Sequence, residues 1–201
     1  IDSPGEYYID RSTGMLYLYP PKDVDLSEVR VSITTSKSPL LWFINDASNI
    51  VFENINFKNT RGKAVWTENR NNNIKFINCS FENTGDRAAV ISGTSTNVVF
   101  DGCTFAHVNG GVLLNSGSPS TLARGNSVVK NCLFEDFSRI TTTYNAAVTL
   151  GGVGNTVSHN TIRNAPQMAI QIYGGTDHVI EYNDIYNVLS EGDDMSVIYT
   201  G

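Results

Sequence analysis

Asn49–Phe57 reads N-I-V-F-E-N-I-N-F, Asn73–Phe81 reads N-I-K-F-I-N-C-S-F, and Asn97–Phe105 reads N-V-V-F-D-G-C-T-F. The copies recur every 24 residues, so Phe57, Phe81 and Phe105 share one column. A fixed period of this size marks a solenoid, whose repeats bury their apolar faces only by stacking on one another. Apolar residues alternate inside each copy, as Ile50 and Phe52, Ile74 and Phe76, Val98 and Phe100. A period of two means strand, not helix. Asn54, Asn78 and Gly102 follow, residue types that tolerate the left-handed backbone of a tight bend. A second short strand then ends at each Phe. If one repeat is one coil, Ile50–Ile74–Val98 and Phe57–Phe81–Phe105 are inward columns, which is how a parallel β-helix fills its core.

Working outward, a third strand type recurs as L-L-W-F at 40–43, A-V-W-T at 64–67, A-V-I-S at 89–92, G-V-L-L at 111–114, A-V-T-L at 147–150, A-I-Q-I at 169–172 and S-V-I-Y at 196–199. The end column continues through Phe134, Ile162 and Ile185, which gives coils of 24, 24, 29, 28 and 23 residues. Two residues on, a polar column runs Asn59, Asn83, His107, Asp136, Asn164, Asn187. The two long coils absorb insertions at Ser116–Gly125 and Ser138–Asn145, and such insertions often carry binding residues. The start differs. Glu6–Asp10 and Met15–Tyr19 flank R-S-T-G as a β-hairpin closed by Gly14 and stopped by Pro20 and Pro21. Val29–Ile33 alternates like another strand. The expected organisation is 1–39 as hairpin and lead-in strand and 40–201 as an all-β parallel β-helix of about six coils. The last strand reaches Gly201 with nothing to cap it, so the chain is expected to continue there or to meet a partner.

Charged residues make up 17%, below the usual quarter, and turn-forming polar residues replace them. The net charge of −6 argues against nucleic acid as a partner and suits neutral or cationic ligands. No run of 18 apolar residues suggests a membrane span. Cys79, Cys103 and Cys132 are the 3 cysteines, and each lies two residues before the Phe column. In-register side chains point the same way on coils roughly 4.8 Å apart, which fits free thiols packed as small apolar groups.

Residues 144–201 carry a resemblance. They include G-V-G-N-T-V-S-H-N-T-I, A-P-Q-M-A-I, G-G-T-D-H-V-I-E-Y-N-D-I and D-M-S-V-I-Y-T-G. This resembles glycoside hydrolase family 141 and its relatives, right-handed parallel β-helix proteins of the pectate-lyase-like kind. Members show G-V-G-N-x-x-S-H-N-x-I, A-P-H-x-A-I, G-N-D-H-x-I-E-Y-N-x-I and D-A-G-A-I-Y-T-G-R-D. The opening G-E-Y-Y-I-D-R-S-T-G-M-L-Y-L-Y-P-P is similar to their G-E-W-Y-L-D-x-x-T-G-x-L-Y-Y-Y-P-P. The resemblance implies a secreted bacterial enzyme that hydrolyses a plant-type polysaccharide, with Asp194 as a catalytic carboxylate. Gln167 stands where the family has His, and the R-D after Y-T-G is absent. A glycosidase needs two carboxylates, so a non-catalytic carbohydrate-binding or adhesin-like module is the alternative. A polysaccharide lyase would need a grouped base; Arg87, Arg124, Arg139 and Arg163 are present but ungrouped in sequence.

The repeat offers its own reason to look at Asp194. It sits two residues before the last third-type strand, where earlier coils hold Gln167 and Asn145. A polar turn ladder would explain the same pattern. Asp193 is its neighbour, and Asp177 and His178 lie in the G-G-T-D-H turn, where local hydrogen bonds are the simpler role. His159 reads as a buried structural histidine. No metal-ligand spacing is present, and calcium at Glu191, Asp193 and Asp194 is the weak exception. Trp42 and Trp66 point outward in adjacent coils, either as a sugar platform or, with Ile91 and Leu113, as part of a covered apolar stripe.

Overall fold

The computed structural model describes residues 1–29 and 31–201. They fall into two compact units, Ile1–Ile33 and Thr34–Gly201.

In the first unit Tyr7–Asp10 pairs antiparallel with Met15–Leu18, with Tyr8 opposite Tyr17. Asp10 builds the turn. Its carboxylate accepts from the Ser12 N–H at 2.9 Å, the Ser12 hydroxyl at 2.7 Å and the Thr13 hydroxyl at 2.8 Å. These bonds favour the charged form and hold the Asp10 carboxyl down at about 2, the Ser12 hydroxyl contributing most. Gly14 closes the turn at φ +73°, a conformation a Cβ would strain. The lead-in strand expected at Val29–Ile33 does not form: Val29 and Val31–Ile33 are irregular, and Arg30 lies outside the described residues. Alternation specifies a strand only where one face is buried, and Val29, Val31 and Ile33 are all exposed.

The second unit is the solenoid. Among the described residues its strands form three parallel sheets. The first stacks Ser48–Glu53, Asn72–Ile77, Val99–Asp101, Val128–Lys130, Thr156–Ser158 and Val179–Glu181. The second stacks Asn56–Thr60, Ser80–Thr84, Thr104–Ala106, Leu133–Glu135, Thr161–Ala165 and Asp184–Val188. The third runs Leu41–Asn45, Val65–Asn69, Arg87–Ile91, Gly110–Ser118, Val148–Gly152, Ile170–Ile172 and Ile198–Thr200. The fold is the expected right-handed parallel β-helix, with six complete coils and one further strand in the third sheet.

The core follows the expected columns. Phe57, Phe81, Phe105, Phe134, Ile162 and Ile185 are paired in order along the second sheet. Phe52, Phe76 and Phe100 form a matching stack in the first sheet. Rings within a column stack face to face, Phe81 on Phe105 at 4.8 Å and Phe105 on Phe134 at 4.4 Å. Between columns they meet edge to face, Phe76 against Phe81 at 5.9 Å.

The corners are left-handed. Asn54, Asn78, Gly102, Asn131, His159 and Tyr182 have φ between 50° and 65°. The polar column at Asn59, Asn83, His107, Asp136, Asn164 and Asn187 has φ between 51° and 59°. Asn, Asp and Gly populate these columns because they tolerate this backbone best. His159 is a correction: it is exposed on its bend, its ring stacked on Tyr182 at 5.0 Å.

One residue past the first corner, Cys79, Cys103, Cys132, Asn160 and Asn183 form one inward column. All three cysteines are buried and free. Each thiol faces the carbonyl of a preceding coil, as Cys103 Sγ to Phe76 O at 3.4 Å. Asn160 Nδ2 donates to Val129 O in the same way at 3.0 Å. Where the column turns to Asn, the side chain also accepts a corner N–H, Cys132 N to Asn160 Oδ1 at 2.9 Å, which a buried corner requires. No buried side-chain nitrogen or oxygen lacks a partner among the described residues.

The third sheet corrects the sequence register twice. Trp66 pairs with Val90, and Gln171 pairs with Tyr199. The outward column is therefore Trp42–Trp66–Val90–Leu113–Thr149–Gln171–Tyr199. Ile91, expected outward, is fully buried. The small-then-branched signature misled because Ala88-Ala89-Val90 offers it twice and because Val197 takes the small position in the last strand, and a one-residue slip exchanges the faces. The insertion at Ser116–Gly125 starts as strand: Gly117 and Ser118 pair antiparallel with Arg124 and Ala123.

Candidate functional site

The outward face of the third sheet changes character along its length. At Trp42 and Trp66 the rings lie parallel to within 2°, centroids 5.1 Å apart. Coils are spaced at about 4.8 Å, so the ring normals run along the solenoid axis and the indole edges face outward. A platform that lays a sugar flat on both rings is not what this geometry offers. Trp42 Nε1 donates to Glu68 at 3.2 Å, and Lys63 Nζ lies 5.5 Å from the Trp66 ring.

Further along the column, a cleft of about 470 Å³ opens, lined by Arg87, Leu113, Tyr144, Thr149, Gln171, Tyr173, Tyr199 and Gly201. Three of these, Leu113, Thr149 and Gln171, are outward column residues of consecutive strands, and Tyr199 is the next. Tyr144 comes from the Ser138–Asn145 insertion. That insertion is pinned from beneath: Asn109 Oδ1 accepts from the Ile140 and Thr141 N–H groups at 3.0 and 2.7 Å. The Ser138 hydroxyl, itself buried, donates to the Asn145 carbonyl. The loop thus walls the cleft as its position suggested.

Arg87 crosses the cleft floor. Its Nη1 donates to Thr149 Oγ1 at 3.0 Å and its Nη2 to the Tyr144 carbonyl at 3.3 Å. Burial pulls its pKa below the ordinary arginine value, because desolvation opposes the charge. Tyr144 and Tyr199 meet edge to face at 6.0 Å. The Tyr199 hydroxyl, and after it the Asp194 carboxylate, hold the Tyr144 phenol above its usual pKa. Tyr144 therefore stays a donor through neutral pH.

The expected residues are distributed as follows. Asp194 is exposed, with Oδ2 3.5 Å from the Tyr144 hydroxyl, at the rim of the cleft. It does not stack on Gln167: counting back from the paired Ile170 and Ile198, that place belongs to Met195, and Gln167 Nε2 lies 3.2 Å from its sulfur. Gln167 is buried and accepts from the Tyr144 N–H at 3.1 Å, so it supports the wall rather than facing solvent. Asn145 is tied to the Thr141 carbonyl at 3.1 Å. Asp193 is exposed. His178 belongs to the backbone: Nδ1 accepts from the Asn155 N–H at 3.3 Å and Nε2 faces Gly174 O at 3.2 Å. Asp177 pairs with Arg124 at 3.4 Å. Glu191, Asp193 and Asp194 do not group as metal ligands; no such trio exists among the described residues.

Arg124, Arg139 and Arg163 are engaged elsewhere, with Asp177, the His107 carbonyl and Glu135. Only Arg87 of the four enters the cleft. Thr149, Gln171, Tyr173 and Tyr199 were not singled out by sequence reasoning. The first and second already continue the Trp column in the sequence register, and the corrected register adds the fourth.

The family described as right handed beta helix region matches residues 33–134, just over half of the chain. No curated protein and no solved structure matches it. The matched segment holds the repeat and its Phe columns, and the topology agrees with it, so the chain belongs to the right-handed β-helix family.

Proposed function

We propose that this β-helix binds a polysaccharide or oligosaccharide in the third-sheet cleft, as part of a secreted bacterial glycoside hydrolase acting on a plant-type polysaccharide. The observation that carries the reading is the lining: Tyr144, Tyr173 and Tyr199 surround the polar groups of Arg87, Thr149 and Gln171. A sugar presents apolar C–H faces and a rim of hydroxyls. Tyrosine rings take the faces, and fixed donors and acceptors take the hydroxyls. Tyr173 is 71% exposed and already available for such contact.

Binding without catalysis, the adhesin-like reading, is favoured by one observation: none of the cleft-lining residues is a carboxylate. Hydrolysis would draw on Asp194 at the rim as one of the two groups required. A glycan array followed by calorimetric titration tests the binding. Tyr199→Ala and Gln171→Ala are each expected to weaken the best ligand by about tenfold, a typical loss for one good contact. Absence of any glycan ligand, or titrations indifferent to both variants, overturns the reading.

A further inference from the structure

We infer that the sugar recognised in this cleft is acidic and that Arg87 anchors its anionic group, a carboxylate or a sulfate. The inference rests on the proposed sugar-binding role of the cleft. Five other basic side chains on the solenoid show the contrast, while Arg139, which is exposed, reaches only neutral oxygens. Lys63, Arg70, Arg124, Lys130 and Arg163 each contact a carboxylate within 4.0 Å. Arg87 has no such partner among the described residues, although it is half-buried. Its contacts are two neutral oxygens, Thr149 Oγ1 and the Tyr144 carbonyl.

A half-buried guanidinium without a counter-ion is costly unless something supplies the charge. Asp86, its sequence neighbour, accepts from Lys63 Nζ at 2.5 Å and from the Arg87 backbone N–H at 2.7 Å, so it offsets the Arg87 charge without a hydrogen bond to the guanidinium. Asp194 touches Tyr144 at the hydroxyl, the opposite end of that residue from the carbonyl held by Arg87. The Arg87 side chain is also fixed in place. The Thr149 hydroxyl that accepts from Arg87 lies 3.4 Å from Gln171 Oε1, to which it can donate in turn. Two of the five guanidinium N–H groups are spent on these anchors, which leaves donors for an anion entering the cleft. Guanidinium to carboxylate or sulfate is the pairing such a fork fits best. The net charge of −6 disfavours anions at long range, but screening confines that field to about 8–10 Å at ordinary salt. Inside the cleft the nearest charge is Arg87 itself.

The test titrates the chain with three probes: an oligogalacturonate, the same oligosaccharide after carboxyl reduction, and a sulfated galactose oligosaccharide. The expected result is binding of one or both acidic probes at least tenfold tighter than the neutral one, with affinity falling as salt rises. Which acidic probe binds identifies carboxylate or sulfate. Arg87→Gln is expected to cost the acidic probe at least about tenfold more than the neutral one, which removes that preference. The salt dependence of the unaltered chain gives the same answer should Arg87→Gln fail to fold. Equal binding of neutral and acidic probes, insensitive to salt, overturns the inference and leaves the sugar-binding reading intact. Binding of none of the three, when an array finds another neutral glycan, likewise overturns it. An array with no ligand at all overturns both.

Discussion

Asn160 caps Cys132: its Oδ1 accepts the Cys132 N–H at 2.9 Å, while its Nδ2 reaches the Val129 carbonyl at 3.0 Å. The two residues are consecutive members of one column. Asn160→Ala would take the acceptor from the buried Cys132 N–H, at about 1–3 kcal/mol, and remove a second bond to Val129 O worth about 1 kcal/mol. The expected loss is about 2–4 kcal/mol in denaturant unfolding. Asn160→Cys keeps a donor toward Val129 and is expected to lose less. Equal losses for the two variants would show that a donor toward Val129 contributes nothing.

Phe81 lies between Phe57 at 5.1 Å and Phe105 at 4.8 Å, and it is fully buried. Phe81→Ala removes the middle of a stack that neighbouring coils cannot collapse to fill. The expected cost is about 3–5 kcal/mol. A loss under about 1 kcal/mol would contradict the role assigned to the Phe column.

The cysteines repeat in register instead of pairing. Burial raises the Cys79 thiol and pushes that of Cys132 well above its ordinary value, while a hydrogen bond with Cys132 lowers that of Cys103. All three are buried, and a thiol must be accessible as well as ionised to react, so the folded chain should react slowly with a thiol reagent at pH 8. Unfolding without reductant should release all 3 thiols. Release of only one would reveal a disulfide.

The hairpin turn has its own pH dependence. Asp10 is depressed to about 2 in the folded hairpin, against about 3.9 in an unfolded chain. A depressed carboxyl stabilises above its unfolded value, and the contribution fades as pH falls through the folded one. The Ser12 and Gly14 amide resonances should therefore hold steady down to about pH 3 and shift with a midpoint near about 2. Asp10→Asn should abolish the transition. A midpoint near 4 would mean the three hydrogen bonds do not persist in solution.

Much of the solenoid was legible because its signals repeat. Each Phe is paired with another Phe or Ile one coil away, so an error at one position would have broken the period at the next. The left-handed corners were legible for the same reason, through Asn54, Asn78 and Gly102. The third sheet was less so. Its small residues Ala88 and Ala89 fit either face, and only the packing of Ile91 inside decides between them. The slip at the last strand hid Tyr199 behind Ile198 and placed Asp194, rather than Met195, above Gln167. Tyr144 and Arg87 had no sequence signal, because a loop and a neighbouring strand bring them together across 57 residues.

Asp194 carries the final prediction. It is exposed, and its one close side-chain neighbour is the Tyr144 hydroxyl at 3.5 Å, too long to contribute much to stability. The residue is thus free to act on a ligand held in the cleft. General acid–base groups typically contribute 10²–10⁴-fold to a rate, and Asp194→Asn removes the charge while keeping the shape. Turnover of the polysaccharide substrate is expected to fall by about 100-fold or more, with the melting temperature unchanged. Tyr144→Phe should cost less, since it removes a neighbour of the carboxylate and not the carboxylate itself. Turnover that survives Asp194→Asn would reduce Asp194 to a turn residue. A chain that binds its glycan but shows no turnover before any substitution would be the non-catalytic module, and Asp194 would then matter only through affinity.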